Sequence, residues 1–398
     1  MTRLRLAGLA AAIVCISLQA ASPAPGAEAA APDAAKGIAA ALQPFVDNHV
    51  VSGAVAMAAT KDKVVGPVAV GESDVAGKRP MRADDLFWIA SMSKPMTAAA
   101  LMMLVDEGKV KIEDPVEKYL PEFRGQMVLA AEEKGQVTLK APDHPITVKE
   151  ILSHTSGLPF MSRVESKIDQ RPLREAVLSY AMTNLRTQPG TKYDYSNAGI
   201  NTAGRIVELV SGMPYEEFMD KRLFKPLGMK DTTFWPTEEQ VGRLAKSYKG
   251  NADKTGLEEM PIEQLTYPLT DRKRGPCPAG GLFSTAADVT RFGRMVLGGG
   301  EFQGKRYLSE AAVRTMTSTQ TGNLPNTNYG LGWQTTAKAD EKAVIPGGCG
   351  HGGAYSTNLW IDPQAGRVTV LMIHRPGLPD GGALHGALNK AVAEALGK

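Results

Sequence analysis

Two valine-rich stretches that read as strands lie at opposite ends of this chain, and neither can stand alone. Near the N-terminus, "VVSGAVAMAATKDKVVGPVAVG" reads as two strands turning at Lys61-Asp62-Lys63. Near the C-terminus, "AYSTNLWID" and "RVTVLMIHR" flank a turn at "PQAG". An isolated two-stranded hairpin is marginal in water, so the two ends predict a single sheet assembled from both termini. Whatever lies between them must fold beside that sheet. The composition, 43% hydrophobic and 22% charged over 398 residues, supplies a core large enough for such an α/β (α+β) unit.

The intervening sequence is helical in pattern. "FWIASMSKPMTAAALMMLVDEGKV" is apolar on nearly every face, with Pro95 in its first turn and Gly108 as its stop, which predicts a buried central helix. "TVKEILSHTSG", "LREAVLSYAMTN", "NAGINTAGRIVELVSG" and "PYEEFMDKRLFKPLG" carry helical periodicity and end near glycine or proline. "STAADVTRFGRMVLGGG" reads as an amphipathic helix capped by Ser284, and "ALHGALNKAVAEALG" as a closing helix. No internal repeat or long linker divides the chain. One catalytic unit at 30–398 is expected, with a helical lobe at roughly 110–265.

Residues 1–29 read differently. Two arginines in "MTRLR" precede the thirteen apolar residues "LAGLAAAIVCISL", which are too few to span a bilayer unaided. The pattern is that of a secretory signal peptide, with Ala27-Glu28-Ala29 or the region of Ala21 as cleavage points, and it predicts a periplasmic or secreted protein without a stable membrane span. Cys15 follows Val14, where a lipid-attachment signal places a small residue, so a lipid anchor is not expected. Removal of this segment leaves Cys277 and Cys349 in a compartment where pairing is chemically permitted; two separately buried thiols are the alternative. The net charge of +3, with both signs interspersed, gives no footprint for nucleic acid.

Several chemistries lack their signatures. There is no G-x-S-x-G, C-x-x-C, H-E-x-x-H or phosphate-loop glycine pattern, and neither a metal site nor a cofactor is expected. "SMSK" is present, with Ser91 three residues before Lys94 at the start of the buried helix. That spacing puts hydroxyl and amine about one turn apart on one face, near backbone N–H groups that favour a developing oxyanion. Burial can lower a lysine pKa from about 10.4 and make it a base for the serine. With 18 serines and 25 lysines, roughly one S-x-x-K arises by chance, and one occurs. Its place in an apolar helix is the stronger signal, because a lysine is costly to bury without a purpose. Downstream, Tyr195-Ser196-Asn197 is the only Y-x-N and His351-Gly352-Gly353 the only H-x-G.

These three elements, in this order, resemble those of the serine β-lactamase and penicillin-recognising superfamily, in the branch of class C β-lactamases, D,D-carboxypeptidases and family VIII esterases. "WIASMSKPMTA", "ILSHTSGLP", "YDYSNAG", "PLGM", "PAGGLFSTAADVTRFG", "YGLGW" and "GHGGAYSTNLWIDP" follow the family's order over nearly the whole chain. The resemblance implies a mainly antiparallel sheet flanked by helices, plus an all-helical lobe, with the active site between them. It implies Ser91 as acylated nucleophile, Lys94 as its activator and Tyr195 as the phenol or phenolate that shuttles the proton. It further implies Asn197 bonding substrate and Lys94, His351, Gly352 and Gly353 lining the substrate, and the N–H groups of Ser91 and Ala354 as oxyanion hole.

One departure matters. Class C β-lactamases carry lysine where this chain has His351, and that lysine helps hold a substrate carboxylate; a histidine is mostly neutral at pH 7. Lys254-Thr255-Gly256 is a literal K-T-G, but its polar, turn-forming surroundings read as a surface loop. Arg272, Lys273 and Arg274 in "DRKRG" are alternative cations, more simply read as a solvated loop. The expected activity is that of a serine hydrolase on a small-molecule acyl substrate, chiefly short esters with weak action on β-lactams. Action on cell-wall peptides or β-lactams is the alternative, and a non-catalytic binding module the third.

Overall fold

The computed structural model describes residues 28–29, 32–251, 253, 256–325, 327–336, 343–379 and 381–397. The signal-like segment up to residue 27, Cys15 included, lies outside them. The two chain ends meet as expected. Gly53–Ala59 and Lys63–Asp74 form an antiparallel pair, and Arg367–Met372 lies against Gly53–Ala59 with Val370 opposite Met57. Asn358–Asp362, Cys349–Gly352 and Gln334–Thr335 extend the sheet on that side. On the other side Arg79–Pro80 pairs with Lys63–Asp74, and Glu28–Ala29 adds, among the described residues, the one parallel partner of this sheet. The sheet is therefore mainly antiparallel and built from both termini.

Both faces of the central strands are covered, and the side-chain sizes show how. Ala54, Ala56 and Ala58 point to one face, where they join Leu371 and Ile373 under helix α1 (Pro32–Asp47) and the C-terminal helix Gly381–Leu396. Val55 and Met57 point to the other, with Val368 and Val370, under the helix Ala286–Leu297. That helix approaches closely at Gly293, where a Cβ would stand 2.6 Å from Val368 Cγ1. Its N-cap is Thr285, whose hydroxyl accepts from the Asp288 N–H, and not Ser284, which is held in a two-residue ladder with Phe87. Fully buried aliphatics such as Ile38, Leu384 and Val392 each contribute about 1.5–3 kcal/mol to this packing.

Beside the sheet stand α2 (Ser93–Asp106), α3 (Val148–Leu152), α4 (Leu173–Ala181) and α5 (Asn197–Ser211). α2 ends where predicted, with Gly108 in the left-handed region, and α5 ends on Gly212 likewise. Thr147 and Glu150 close a capping box on α3. The stretch "PYEEFMDKRLFKPLG" is helical from Tyr215 but passes through a π turn at Asp220–Phe224. The lobe is not wholly helical: Val128–Glu133 pairs with Gln136–Lys140, and Ser247–Gly250 with Leu257–Met260. Gln136–Lys140 is exposed throughout, so no buried face marks it in the sequence. Gly256, from the K-T-G, closes the second of these hairpins by donating its N–H to Asn251 Oδ1, apart from the main sheet; Lys254 and Thr255 lie outside the described residues. Among the described residues, no helix is long and apolar enough to cross a membrane.

Candidate active site

α2 is buried from Ser93 to Leu104, as its all-round hydrophobicity requires. A 3-10 turn at Ala90–Met92 leads into it, with Ala90 held at φ 45, so Ser91 sits ahead of the α-helix and remains partly exposed. Ser93, the other serine of "SMSK", is fully buried and occupied with the Ala90 carbonyl and the Leu282 N–H. Lys94 Nζ donates to Ser91 Oγ at 2.9 Å and to the Ala279 carbonyl at 2.7 Å. Its side chain is completely buried, and desolvation pushes its pKa down to about 7.

Tyr195 closes the second side. The Ser196 hydroxyl accepts from the Gly199 N–H and donates to the Pro159 carbonyl, so Ser196 caps α5 and fixes the residue before it. The Tyr195 ring centroid lies 4.7 Å from Lys94 Nζ. Burial drives the phenol well above its ordinary pKa, against a lowering hydrogen bond with Ser91. Tyr195 is thus a neutral phenol across the physiological range.

Asn197, which the resemblance pairs with Lys94, makes no hydrogen bond to it; its Oδ1 is buried and unpartnered. The second acceptor of Lys94 is the Ala279 carbonyl, and Asn201, one turn further along α5, holds that loop by accepting from the Ala279 N–H at 3.0 Å.

His351 is the third element. It lies in Cys349–Gly352, paired with Leu359, and is 2% exposed. Nδ1 stands 2.7 Å from the Gly352 carbonyl, which can only accept, so the ring proton is on Nδ1. Nε2 then accepts from the Tyr329 hydroxyl at 2.9 Å. Burial, with Lys94 nearby, pushes the imidazole down to about 3, so His351 is neutral and both its nitrogens are engaged inside the protein.

The glycines beside it have different reasons. A Cβ on Gly353 would meet Thr357 Oγ1 at 2.1 Å and the Ile89 carbonyl at 2.6 Å, whereas on Gly352 nothing lies within 3.7 Å. Gly353 is required by close approach to the segment leading into Ser91, which Thr357 also joins by donating to the Ile89 carbonyl. Ala354, the next residue, is exposed. Gly353→Ala is therefore expected to cost about 1–3 kcal/mol of stability by overpacking and to lower turnover, while Gly352→Ala folds like the parent; thermal melts of the two variants check this.

Of the cations in "DRKRG", the buried one is committed elsewhere. Arg274 is 3% exposed, paired with Asp169 at 2.7 Å and bonded to the Phe234 and Leu269 carbonyls. It is a buried structural ion pair, contrary to the solvated loop expected of it. Arg272 lies 5.0 Å from the Trp235 ring, and Lys273 is exposed. Cys277 and Cys349 do not pair: both are free and buried, Cys277 facing Asn201 Oδ1 at 3.5 Å and Cys349 held in its strand opposite Ile361.

Sequence reasoning missed four contributors. His154, fully buried at φ 61, sets its ring, tilted, with its centroid 4.4 Å from that of Tyr195 and 4.7 Å from that of Tyr329. Burial holds it uncharged, and its Nδ1 accepts from the Ser196 N–H. Tyr329, Asn201 and Ala279 complete the set. "HTSG" and "YGLGW" contain the first two, but no residue spacing connects them to Ser91.

A serine hydroxyl held by a buried, partly deprotonated lysine beside a neutral tyrosine, at the junction of an antiparallel sheet and a helical lobe, defines a serine hydrolase of the penicillin-recognising kind. The chain belongs to the family described as Beta-lactamase, whose model matches residues 38–394. It is 32% identical over 384 residues to an uncharacterised protein of Mycobacterium tuberculosis, covering 89% of this chain and 94% of that one. It is 25% identical over 338 residues to the D-alanyl-D-alanine-carboxypeptidase/endopeptidase AmpH of Escherichia coli K12, covering 82% and 80%. Among solved structures, EstCE1, a hydrolase with promiscuous acyltransferase activity, matches with a TM-score of 0.74 at 24% identity over 90% of this chain and 98% of that one.

Proposed function

We propose that the protein is an exported esterase that acylates Ser91 with small, uncharged acyl esters. The neutral Lys94 amine takes the Ser91 proton as Oγ attacks the ester carbonyl carbon. The N–H groups of Ser91 and Ala354 hold the resulting oxyanion. As the tetrahedral centre collapses, the C–O bond to the alcohol breaks and the departing alkoxide takes the phenolic proton of Tyr195, which Lys94 replenishes. Water then enters by the reverse path: it attacks the acyl carbon, gives up a proton through the same pair, and Ser91 leaves with its proton restored.

The observation that carries the choice of ester is the state of His351. Its neutral ring has no nitrogen left for a substrate carboxylate, and Arg274 is locked to Asp169. A β-lactam or a stem peptide would bring a carboxylate to a site that lacks its usual cation. Losing one charge-assisted hydrogen bond is worth about 1.5–3 kcal/mol, or roughly 10- to 100-fold. Turnover of p-nitrophenyl butyrate is expected to exceed that of nitrocefin in kcat/KM by at least about this factor. Faster turnover of nitrocefin or of a D-alanyl-D-alanine peptide would assign the enzyme to cell-wall substrates instead, and no turnover of any of them would favour a binding module.

A further inference from the structure

We propose that Asn201 is a positioning residue for Lys94, the inner link of a hydrogen-bonded chain that runs from Glu165 through Tyr180 to the Ala279 segment. The inference rests on the assignment of Ser91 as nucleophile and Lys94 as base. Each link is direct. The Glu165 carboxylate accepts from the Tyr180 hydroxyl at 2.9 Å, and that hydroxyl accepts from Asn201 Nδ2 at 3.0 Å. Asn201 Oδ1 accepts from the Ala279 N–H at 3.0 Å, and the Ala279 carbonyl accepts from Lys94 Nζ at 2.7 Å. Tyr180 and Asn201 are 1% and 3% exposed, so water does not substitute for these partners.

The carboxamide has a single workable orientation. Turned over, it would set its NH2 against the Ala279 N–H, donor facing donor, and its oxygen against a hydroxyl whose proton is already given to Glu165. Two buried groups would then lack partners, at about 1–3 kcal/mol each.

What Asn201 holds is one peptide plane, gripped from two helices. The Pro278 carbonyl accepts from Thr97 Oγ1 on α2 at 2.7 Å, and the N–H of the same peptide is the one taken by Asn201 on α5. Pro278 itself fits only because Gly204 faces it: a Cβ there would be 2.3 Å from Pro278 Cγ. The next two residues are Gly280 and Gly281, without side chains to lock the backbone. The Ala279 carbonyl sits on the following peptide, whose Gly280 N–H donates to the Cys277 carbonyl at 3.1 Å; with the Ala279 N–H released, that bond alone is left within the loop to set the angle of the carbonyl. Lys94 then has a second acceptor that is less firmly placed, and with it a less fixed aim at Ser91.

The test is the pH profile of kcat/KM on p-nitrophenyl butyrate for two near-isosteric variants. Asn201→Leu removes the bonds to Tyr180 and Ala279, together with the weak one from Cys277 Sγ. It should lower kcat by about 10- to 100-fold, the usual effect of misplacing a catalytic group, and move the acidic limb to lower pH, because the ammonium form of Lys94 has a less firmly placed acceptor. Asn201→Asp keeps the acceptor for the Ala279 N–H and brings in a negative charge, which should move the limb to higher pH. Opposite shifts are the expected result. Two well-folded variants whose limbs both stay at the wild-type position would overturn the proposal and leave Asn201 as packing alone. If Asn201→Leu does not fold, Tyr180→Phe takes its place: it frees the amide to turn and should shift the limb in the same direction by less, and an unmoved limb counts against the proposal equally. Absence of Ser91-dependent turnover in the wild type would instead mean that the underlying assignment has failed.

Discussion

Alanine at position 91 is expected to lower kcat/KM on p-nitrophenyl butyrate by about 10⁴-fold or more, since removing a serine nucleophile alone has an effect of this order or larger. The fold should hardly register the change. Ser91 Oγ accepts one hydrogen bond from Lys94, which keeps its second acceptor at Ala279, and the serine is partly exposed, so no large cavity opens. Unchanged thermal melting together with the activity loss would separate chemistry from folding. A fluorophosphonate probe should add mass to the peptide containing Ser91 in the wild type and to no peptide of the variant. Ser93, the only other serine in the motif, is buried on Ala90 and Leu282 and cannot take over. An alanine variant with full ester turnover would show that the nucleophile lies elsewhere.

How much of this was legible in the sequence depends on what kind of signal each residue carries. The two-ended sheet follows from strand pairs that need partners, and the buried helix from an apolar run whose only charge before Asp106 is Lys94. Ser91 and Lys94 are legible because they stand one turn apart at the start of an apolar helix, where a lysine is costly to bury. Tyr195 and His351 reach the same cleft from 104 and 260 residues away, and only their order made them candidates. Asn201, Ala279, His154 and Tyr329 stayed hidden for a physical reason: they act through tertiary hydrogen bonds and ring contacts that have no period. Ala279 contributes a backbone carbonyl, which every residue possesses. The cap at Thr285 and not Ser284, the exposed hairpin inside the helical lobe, and the unpaired cysteines were likewise settled by neighbours distant in the chain. His351 was only half legible. Its identity predicted a mostly neutral ring, but the loss of both nitrogens to Tyr329 and Gly352 is a property of the fold.

Lys94 carries the second large effect, and its sign can be worked out on two axes. Activity requires the amine form, so kcat/KM should rise through an acidic limb centred near the pKa of about 7 and level off above it. No other group near Ser91 should add a limb around neutrality. His351 titrates at about 3, His154 is held low by burial, and the Tyr195 phenol is held high. Lys94→Arg keeps a permanent cation that cannot act as a base, and should abolish the limb along with at least about 10²–10⁴-fold of the rate, the usual range for a general base. Stability runs in a related way. The unfolded lysine keeps its ordinary pKa near 10.5 while the folded one is lowered, so between pH 7 and 10.5 the unfolded chain binds the extra proton. The burden of burying Lys94 is therefore fully present below pH 7 and fades as the pH rises towards 10.5. Lys94→Met, of similar length and without charge, should raise the melting temperature more at pH 6 than at pH 9, while turnover is lost at both. A variant that melts with the wild type at every pH would mean that Lys94 is not desolvated, and that the lowered pKa invoked for the base has no source.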